Sequence, residues 1–513
     1  MIIFFYFYRS NKNNLKMVDY TRKKEIIMKK GKEAIPLKDG VEYRRAKGWR
    51  IAFSCSSSGL MGMTFYILMG YASYVANVGY GIATAVVGII LTATRVIDGI
   101  TDPLVAFIID KTKLKAGKIR LWAILGWAIE SLAVFMMYVW ASGKGHGVPF
   151  FVVTYCVYVI GYTMVNIINQ TIPHALTNDP KQRPMVGIWS TVFNYFVPMF
   201  LSMAIMMFIL PRYGEFNVPM LAATCKLCVA VSFVGLIITY IGISPYDKME
   251  YIGAPVKKES VKFRDMVNLF KSNKALQMFI IAGASDKIAQ QTISQSIITT
   301  LLYGIILGNM QISTMLSVVS MLPSIVFAII GAKHAGKHGN KESTVVWTRA
   351  CMIVAAISVV FFCVLSGNPQ IILQKMPLMI VFVLLNFALN GCKMSVTTAN
   401  NAMMADVIDY EYDRSGKLMP ATVTGTYAFI DKLVSSFGAL IATSSVAILG
   451  YTATMPQPGD AYTMGIFWFT MAIYYGLPLV GWACTLVAMK HSPLSKEEMV
   501  EVQKRISERK EDK

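Results

Sequence analysis

The chain has 513 residues, of which 55% are hydrophobic and only 15% charged. A soluble protein carries about 25% charged residues, so composition excludes an ordinary soluble fold. The net charge of +20 is divided among several short loops and the two ends, which argues against a nucleic-acid-binding face.

The apolar residues gather into about twelve runs, near 52–78, 82–110, 121–141, 149–175, 186–210, 219–243, 275–306, 310–332, 345–366, 376–405, 418–449 and 462–489. A run of ~20 apolar residues crosses a bilayer as a helix. The expectation is an all-α membrane protein with about twelve transmembrane helices. Lysine and arginine concentrate before Arg50, in 111–120, in 248–274, in 333–341 and after His491. Loops between alternate helices are almost free of them. This is the positive-inside pattern, and it predicts a multi-pass protein of the cell membrane with both termini cytoplasmic. The expected division is a basic N-terminal arm (1–50), a six-helix bundle (51–243), a cytoplasmic middle loop (244–274), a second bundle (275–490) and a cytoplasmic tail (491–513). The role of residues 1–16 stays open, because Met17 and Met28 are also candidate starts. Cys225 and Cys228 form the single CxxC, with no second pair or histidines at metal spacing, and read as small helix residues.

The second run contains RVIDGITDPL, Arg95 to Leu104. Positions i and i+4 share a helix face, so Asp98 and Asp102 project together, bordered by Thr101. Carboxylates facing lipid are expensive; these are expected to face the bundle interior. Pro103 has no N–H, so the Gly99 carbonyl loses its helix partner. Carboxylates and freed carbonyls suit a Na+ site. A shared proton is the alternative, since two close carboxylates repel. Arg95, one turn earlier, is a candidate charge partner, and a purely structural Arg–Asp knot is the plain alternative.

Counting ~1.5 Å per residue sets other polar residues at a similar depth. These are Thr163 and Asn166 in the fourth run, Asp286 and Lys287 in the seventh, Asn390 and Lys393 in the tenth, and Lys432 in the eleventh; Asn169, Gln170 and Gln290 add amides suited to sugar hydroxyls. Polar residues gathered at mid-membrane predict a binding cavity. Helix–helix hydrogen bonds and local ion pairs are the structural alternative for each. At the inner ends lie Asp110 and Arg120 in one half and Asp406, Asp409 and Arg414 in the other, a candidate charged gate.

Two stretches resemble a known family. RVIDGITDPLVAFIIDKTKLKAGKIRLW is similar to R-x-x-D-x-x-x-D-P followed by D-[RK]-T-x-x-x-x-G-K, and MMADVIDYEYDRSGK with YAFIDKL is similar to M-A-D-V-x-D-Y with a downstream lysine. Both patterns are those of the glycoside–pentoside–hexuronide:cation symporters of the major facilitator superfamily, which this chain resembles. The resemblance implies two six-helix bundles around a central path. It implies cation binding by Asp98, Asp102, Thr101 and Thr163, a sugar contact at Asn166, and a lysine near both sites at Lys432. The family's helix 1 acid has no counterpart here, with Met61 or Gly62 near that place. Gln170 stands where an aromatic stacks on sugar, and the helix 4 proline is shifted to Pro173. These departures put an α-galactoside in doubt.

The expected function is therefore symport of a sugar with Na+ or H+ by alternating access. A cation-coupled lysolipid carrier of the same fold is the alternative. The expected partners are a sugar, a monovalent cation and the lipid bilayer, with no nucleic acid. No cofactor beyond the coupling ion is expected. No H-E-x-x-H, G-x-S-x-G or G-x-x-x-x-G-K-[ST] is present, so an enzyme or an ATP-driven pump is not expected.

Overall fold

The computed structural model describes residues 34–35, 43–112, 117–177, 182–248, 263–416 and 419–511. A two-residue antiparallel ladder, Ala34–Ile35 with Tyr43–Arg44, precedes the helices. Twelve long helices then follow. They are α1 (Gly48–Met69), α2 (Thr84–Lys111), α3 (Ile119–Trp140), α4 (Gly147–Leu176), α5 (Met185–Tyr213) and α6 (Val218–Ile243). After a short helix at Phe263–Ser272 come α7 (Lys274–Ile293), α8 (Gln311–His338), α9 (Asn340–Val364), α10 (Met376–Ser415), α11 (Pro420–Ile448) and α12 (Met464–His491). Nine helices among the described residues are long and apolar enough to cross a membrane. In lipid every backbone polar group must be satisfied within the chain, which makes apolar segments of this length helical. Side chains close the exposed ends: Asn217 accepts from the Met220 N–H, Asn273 from Leu276 and Thr463 from Ile466. Gly339, at φ 102°, makes the one-residue turn between α8 and α9.

α1 to α6 pack on one another, as do α7 to α12. Glycines set the closest approaches, as small residues do between membrane helices. A Cβ on Gly59 of α1 would overlap the Phe193 backbone of α5, and one on Gly161 of α4 would strike the backbone of Glu130 in α3. In the other half, Gly331 of α8 lies against Ser395 of α10, and Gly481 of α12 against the Ser285 carbonyl of α7. Between the halves, α2 packs along α11 and α5 along α8.

One end of the bundle is stitched shut across the halves. Tyr74 donates to the Pro456 carbonyl at 2.8 Å and to Thr300 at 2.9 Å. Asn77 donates to the Ala453 carbonyl at 2.8 Å and accepts from the Met455 N–H at 3.1 Å. Gln457 accepts from the Phe216 N–H at 2.9 Å. Thr84 and Thr92 of α2 bond to Thr452, Thr454 and Ser436. These hydrogen bonds between the halves lie in the part of the bundle remote from the basic loops.

Three elements depart from the sequence reading. The run expected at 275–306 breaks after α7, where Gln295 is extended, and resumes as Ser296–Ile306. There the Ser296 hydroxyl donates to the Gly70 carbonyl at 2.8 Å; a tertiary contact holds the break, with no glycine or proline to announce it. α10 runs ten residues past its expected end, because its polar final turns pack on protein. The expected tail carries a helix, α13 (Lys496–Glu511). It buries Val502 and Ile506 and pairs Arg505 with Asp413 at 2.9 Å.

Candidate functional site

Two adjoining cavities lie between the halves. The first, about 550 Å³, is walled by α1, α5, α7, α8 and α12 near the stitched end. The second, about 820 Å³, is walled by α5, α7, α8 and α10. Both volumes lie within the roughly 300–1,000 Å³ of small-molecule sites. They share Tyr195, Ile293, Ser294 and Ser317 in their walls. Of the residues expected from sequence, Gln290 and Asn390 line the second cavity, as does Lys393.

The α8 contribution was not anticipated. Ser313, Ser317, Ser320 and Ser324 recur at helical spacing, and all four face one or other cavity. The Ser320 hydroxyl is buried with no hydrogen-bond partner among the described residues. The spacing was visible in QISTMLSVVSMLPS, but serine is mild enough to pass for apolar filler there. Tyr195 was also missed, inside an aromatic run that reads as core.

Asp286 anchors the α7 wall. One carboxylate oxygen accepts from the Trp482 indole N–H at 3.1 Å and the other from the Gln290 amide. Lys393 lies over the Trp482 ring, its ammonium 5.8 Å from the ring centroid. Lys287 pairs with Asp431 of α11 at 3.6 Å. Charged groups thus tie α7 to α11 and α12 at one depth, which a static packing role alone rarely requires.

The expected cation site is only partly described. Along α2 the side chains of Arg95, Asp98, Asp102 and Asp110, and the surroundings of Gly99, lie outside the described residues. Thr101 is half-buried and Thr163 of α4 is buried. Thr101, Thr163 and Lys432 are all engaged by neighbours. Asn169 of α4 abuts Gly62 of α1, and its amide oxygen is buried and unpartnered among the described residues. Asn166 is half-buried and Gln170 exposed; none of these three amides lines the two cavities.

Four of the candidate gate residues, Arg120, Asp406, Asp409 and Arg414, have partners within their own halves. Arg120 binds Asp247 at 3.1 Å, and Asp247 also accepts the backbone N–H groups of Ile119 and Arg120, capping α3. Arg414 grips Glu411 through two 3.0 Å hydrogen bonds. Asp406 accepts from Asn340 at 2.7 Å, and Asp409 from Gln503 of α13 at 2.6 Å. Sequence reasoning found the acids and bases but not Asp247 or the α13 partners, since neither sits in a motif.

Two helical halves joined at one end around cavities of mixed polar and apolar lining describe a multi-pass membrane transporter. Solved transporter structures share the fold. The nucleoside transporter NupG superposes with TM-score 0.57 at 12% identity, covering 87% of this chain and 100% of that one. A bacterial homologue of the human lysosomal transporter Spinster, solved inward-facing and unoccupied, gives TM-score 0.57 at 13% identity over 89% and 99%. The chain belongs to the MFS/sugar transport protein family, which matches residues 52–496. Among its relatives is a putative glycoside/cation symporter, YagG, of Escherichia coli (strain K12), 23% identical over 78% of this chain and 83% of that one. Another is the isoprimeverose transporter of Lactiplantibacillus pentosus, 21% identical over 88% and 89%.

Proposed function

We propose that the protein is a symporter that couples inward movement of Na+ or H+ to uptake of a sugar by alternating access. The observation that carries this reading is the cavity between the halves. Its largely apolar walls carry hydroxyls and amides, it has the volume of a small-molecule site, and it belongs to a chain of a sugar transport family. The named relatives, a glycoside/cation symporter and a sugar transporter, support the same chemistry.

In this reading a cation enters at Asp98 and Asp102, with Thr101, Thr163 and the Gly99 carbonyl as further oxygens. The cation relieves the repulsion of the acid pair. Lys432 lies near both ligands and adjusts to the new charge, raising affinity for sugar. By linkage, sugar raises affinity for the cation by the same factor. The basic loops and both termini are cytoplasmic, so the stitched end faces outward and the present conformation opens inward. In the outward-facing state the inner-end charges exchange partners across the halves and form the gate.

The test is counterflow uptake into vesicles with a panel of sugars, with and without Na+ at fixed pH. Cation-dependent uptake of at least one sugar is expected. Uptake of lysolipid and of no sugar would overturn the reading in favour of an amphiphile carrier.

A further inference from the structure

Asp286 lines neither cavity, yet its partners come from three helices of the second half. Within α7, one carboxylate oxygen accepts from the Gln290 amide, one turn further on. The other accepts from the Trp482 indole of α12 at 3.1 Å, and Trp482 is 2% exposed. From α10, Lys393 supplies the counter-charge. Its ammonium lies 5.8 Å from the centroid of the same indole and attracts the carboxylate. A charge at mid-membrane is costly unless it is paired and hydrogen-bonded, and Asp286 has both kinds of partner.

This arrangement fixes which end of Gln290 meets the cavity. A carboxylate has no hydrogen to give, so only the NH2 end of an amide can face it. The Gln290 side chain lines the 820 Å³ cavity. With its nitrogen held by Asp286, its carbonyl oxygen is the end left for a ligand. The indole N–H of Trp482 can only donate and occupies the second carboxylate oxygen. The carboxylate therefore cannot turn away from Gln290 without leaving a buried N–H unpaired, which is costly.

We propose that Asp286 is a positioning residue, set behind the cavity wall, that holds Gln290 as a hydrogen-bond acceptor. The cavity then selects a ligand that donates a hydroxyl at that point and rejects one that cannot. This rests on the proposed sugar symport and adds a selectivity device to its site.

The experiment is counterflow in proteoliposomes of the full chain with xylose, arabinose, glucose, galactose and their methyl glycosides. Each sugar carried is then competed by its monodeoxyfluoro analogues. Fluorine replaces a hydroxyl at similar size but cannot donate. In the wild type, one fluorinated position is expected to weaken competition by about 5-fold or more. Asp286→Asn keeps the shape. Its amide oxygen still accepts from Trp482, while its NH2 donates to Gln290 and turns the Gln290 NH2 toward the cavity. This variant is expected to lose the penalty at that one position. Adding Gln290→Glu returns an acceptor to the cavity and a negative charge to α7, and is expected to restore the penalty. A role in packing alone predicts weaker uptake with the same fluorine profile in all three proteins, and that result overturns the proposal. A wild-type profile with no sensitive position overturns it as well. If Asp286→Asn fails to fold, Gln290→Met decides the matter: a penalty that survives without the Gln290 carbonyl overturns the assignment. Uptake of none of these sugars, whether or not lysolipid is carried, counts against the underlying symport reading and removes this proposal with it, before any fluorine profile is measured.

Discussion

Glu130 sits wholly buried where α3 meets α4, and neither carboxylate oxygen has a hydrogen-bond partner among the described residues. Replacing a buried unpartnered polar group by an apolar one of similar size is neutral or stabilising, whereas the polar group itself carries a desolvation penalty of about 1–3 kcal/mol. Glu130→Leu is therefore expected to hold or raise the melting temperature of the purified protein, with cation-stimulated uptake retained. Unchanged melting with uptake abolished would show instead that this carboxyl takes part in transport. The acids of the proposed cation site answer differently. Asp98→Cys and Asp102→Cys are each expected to lower cation stimulation of uptake by roughly tenfold or more, on the scale of typical coupling energies. Full cation-dependent accumulation in both variants would falsify the assignment. Asp98 and Asp102 stand out in the sequence because a four-residue spacing carries its own geometry, and their side chains lie outside the described residues. Glu130 does not, because a single acid inside an apolar run gives no sign of which helix it faces.

At the scale of elements, α2 and α11 make the most extensive packing between the halves among the described residues. Gly88 lies so close to Leu440 and Thr443 that a side chain there would overlap them. Overpacking a tight contact costs about 1–3 kcal/mol, which shifts a two-state ratio roughly 5- to 150-fold. Gly88→Leu is expected to push the halves apart at the stitched end. Spin labels at positions 78 and 453 read this as a longer mean distance, and uptake falls because one of the two states is disfavoured. An unchanged distance distribution would show that α2 yields locally. Most helices here were legible, since ~20 apolar residues announce a span. The break between α7 and Ser296 was not, because it depends on the Gly70 carbonyl, 226 positions away in sequence. The length of α10 and the docking of α13 were missed for the same reason. Their polar turns read as loop and tail until the Arg505–Asp413 and Gln503–Asp409 contacts are in view.

For the whole molecule, the proposed alternating access has the stitched end open while the basic end closes. The bonds of Tyr74, Asn77 and Gln457 to the Ala453–Gln457 segment and to Phe216 hold one extreme of that motion. Each net bond is worth about 0.5–1.5 kcal/mol, so the set is a latch of a few kcal/mol, strong enough to populate one state and weak enough to release. No local pattern in the sequence could reveal it, since Asn77 and Ala453 are 376 positions apart. Cysteines placed at 77 and 453, joined by a short bis-methanethiosulfonate reagent, which forms a disulfide with each thiol as methanesulfinate leaves, are expected to trap this state. Substrate binding from the basic side then survives, because the cavity walls on α5, α7, α8 and α10 are untouched. Uptake and counterflow both stop, because each needs the site to reach the other side. Reversal by a cleavable cross-linker ties the loss to the closed end rather than to damage. Continued counterflow in the fully cross-linked protein would mean that the halves do not part at this end, and that the route for substrate lies elsewhere in the fold.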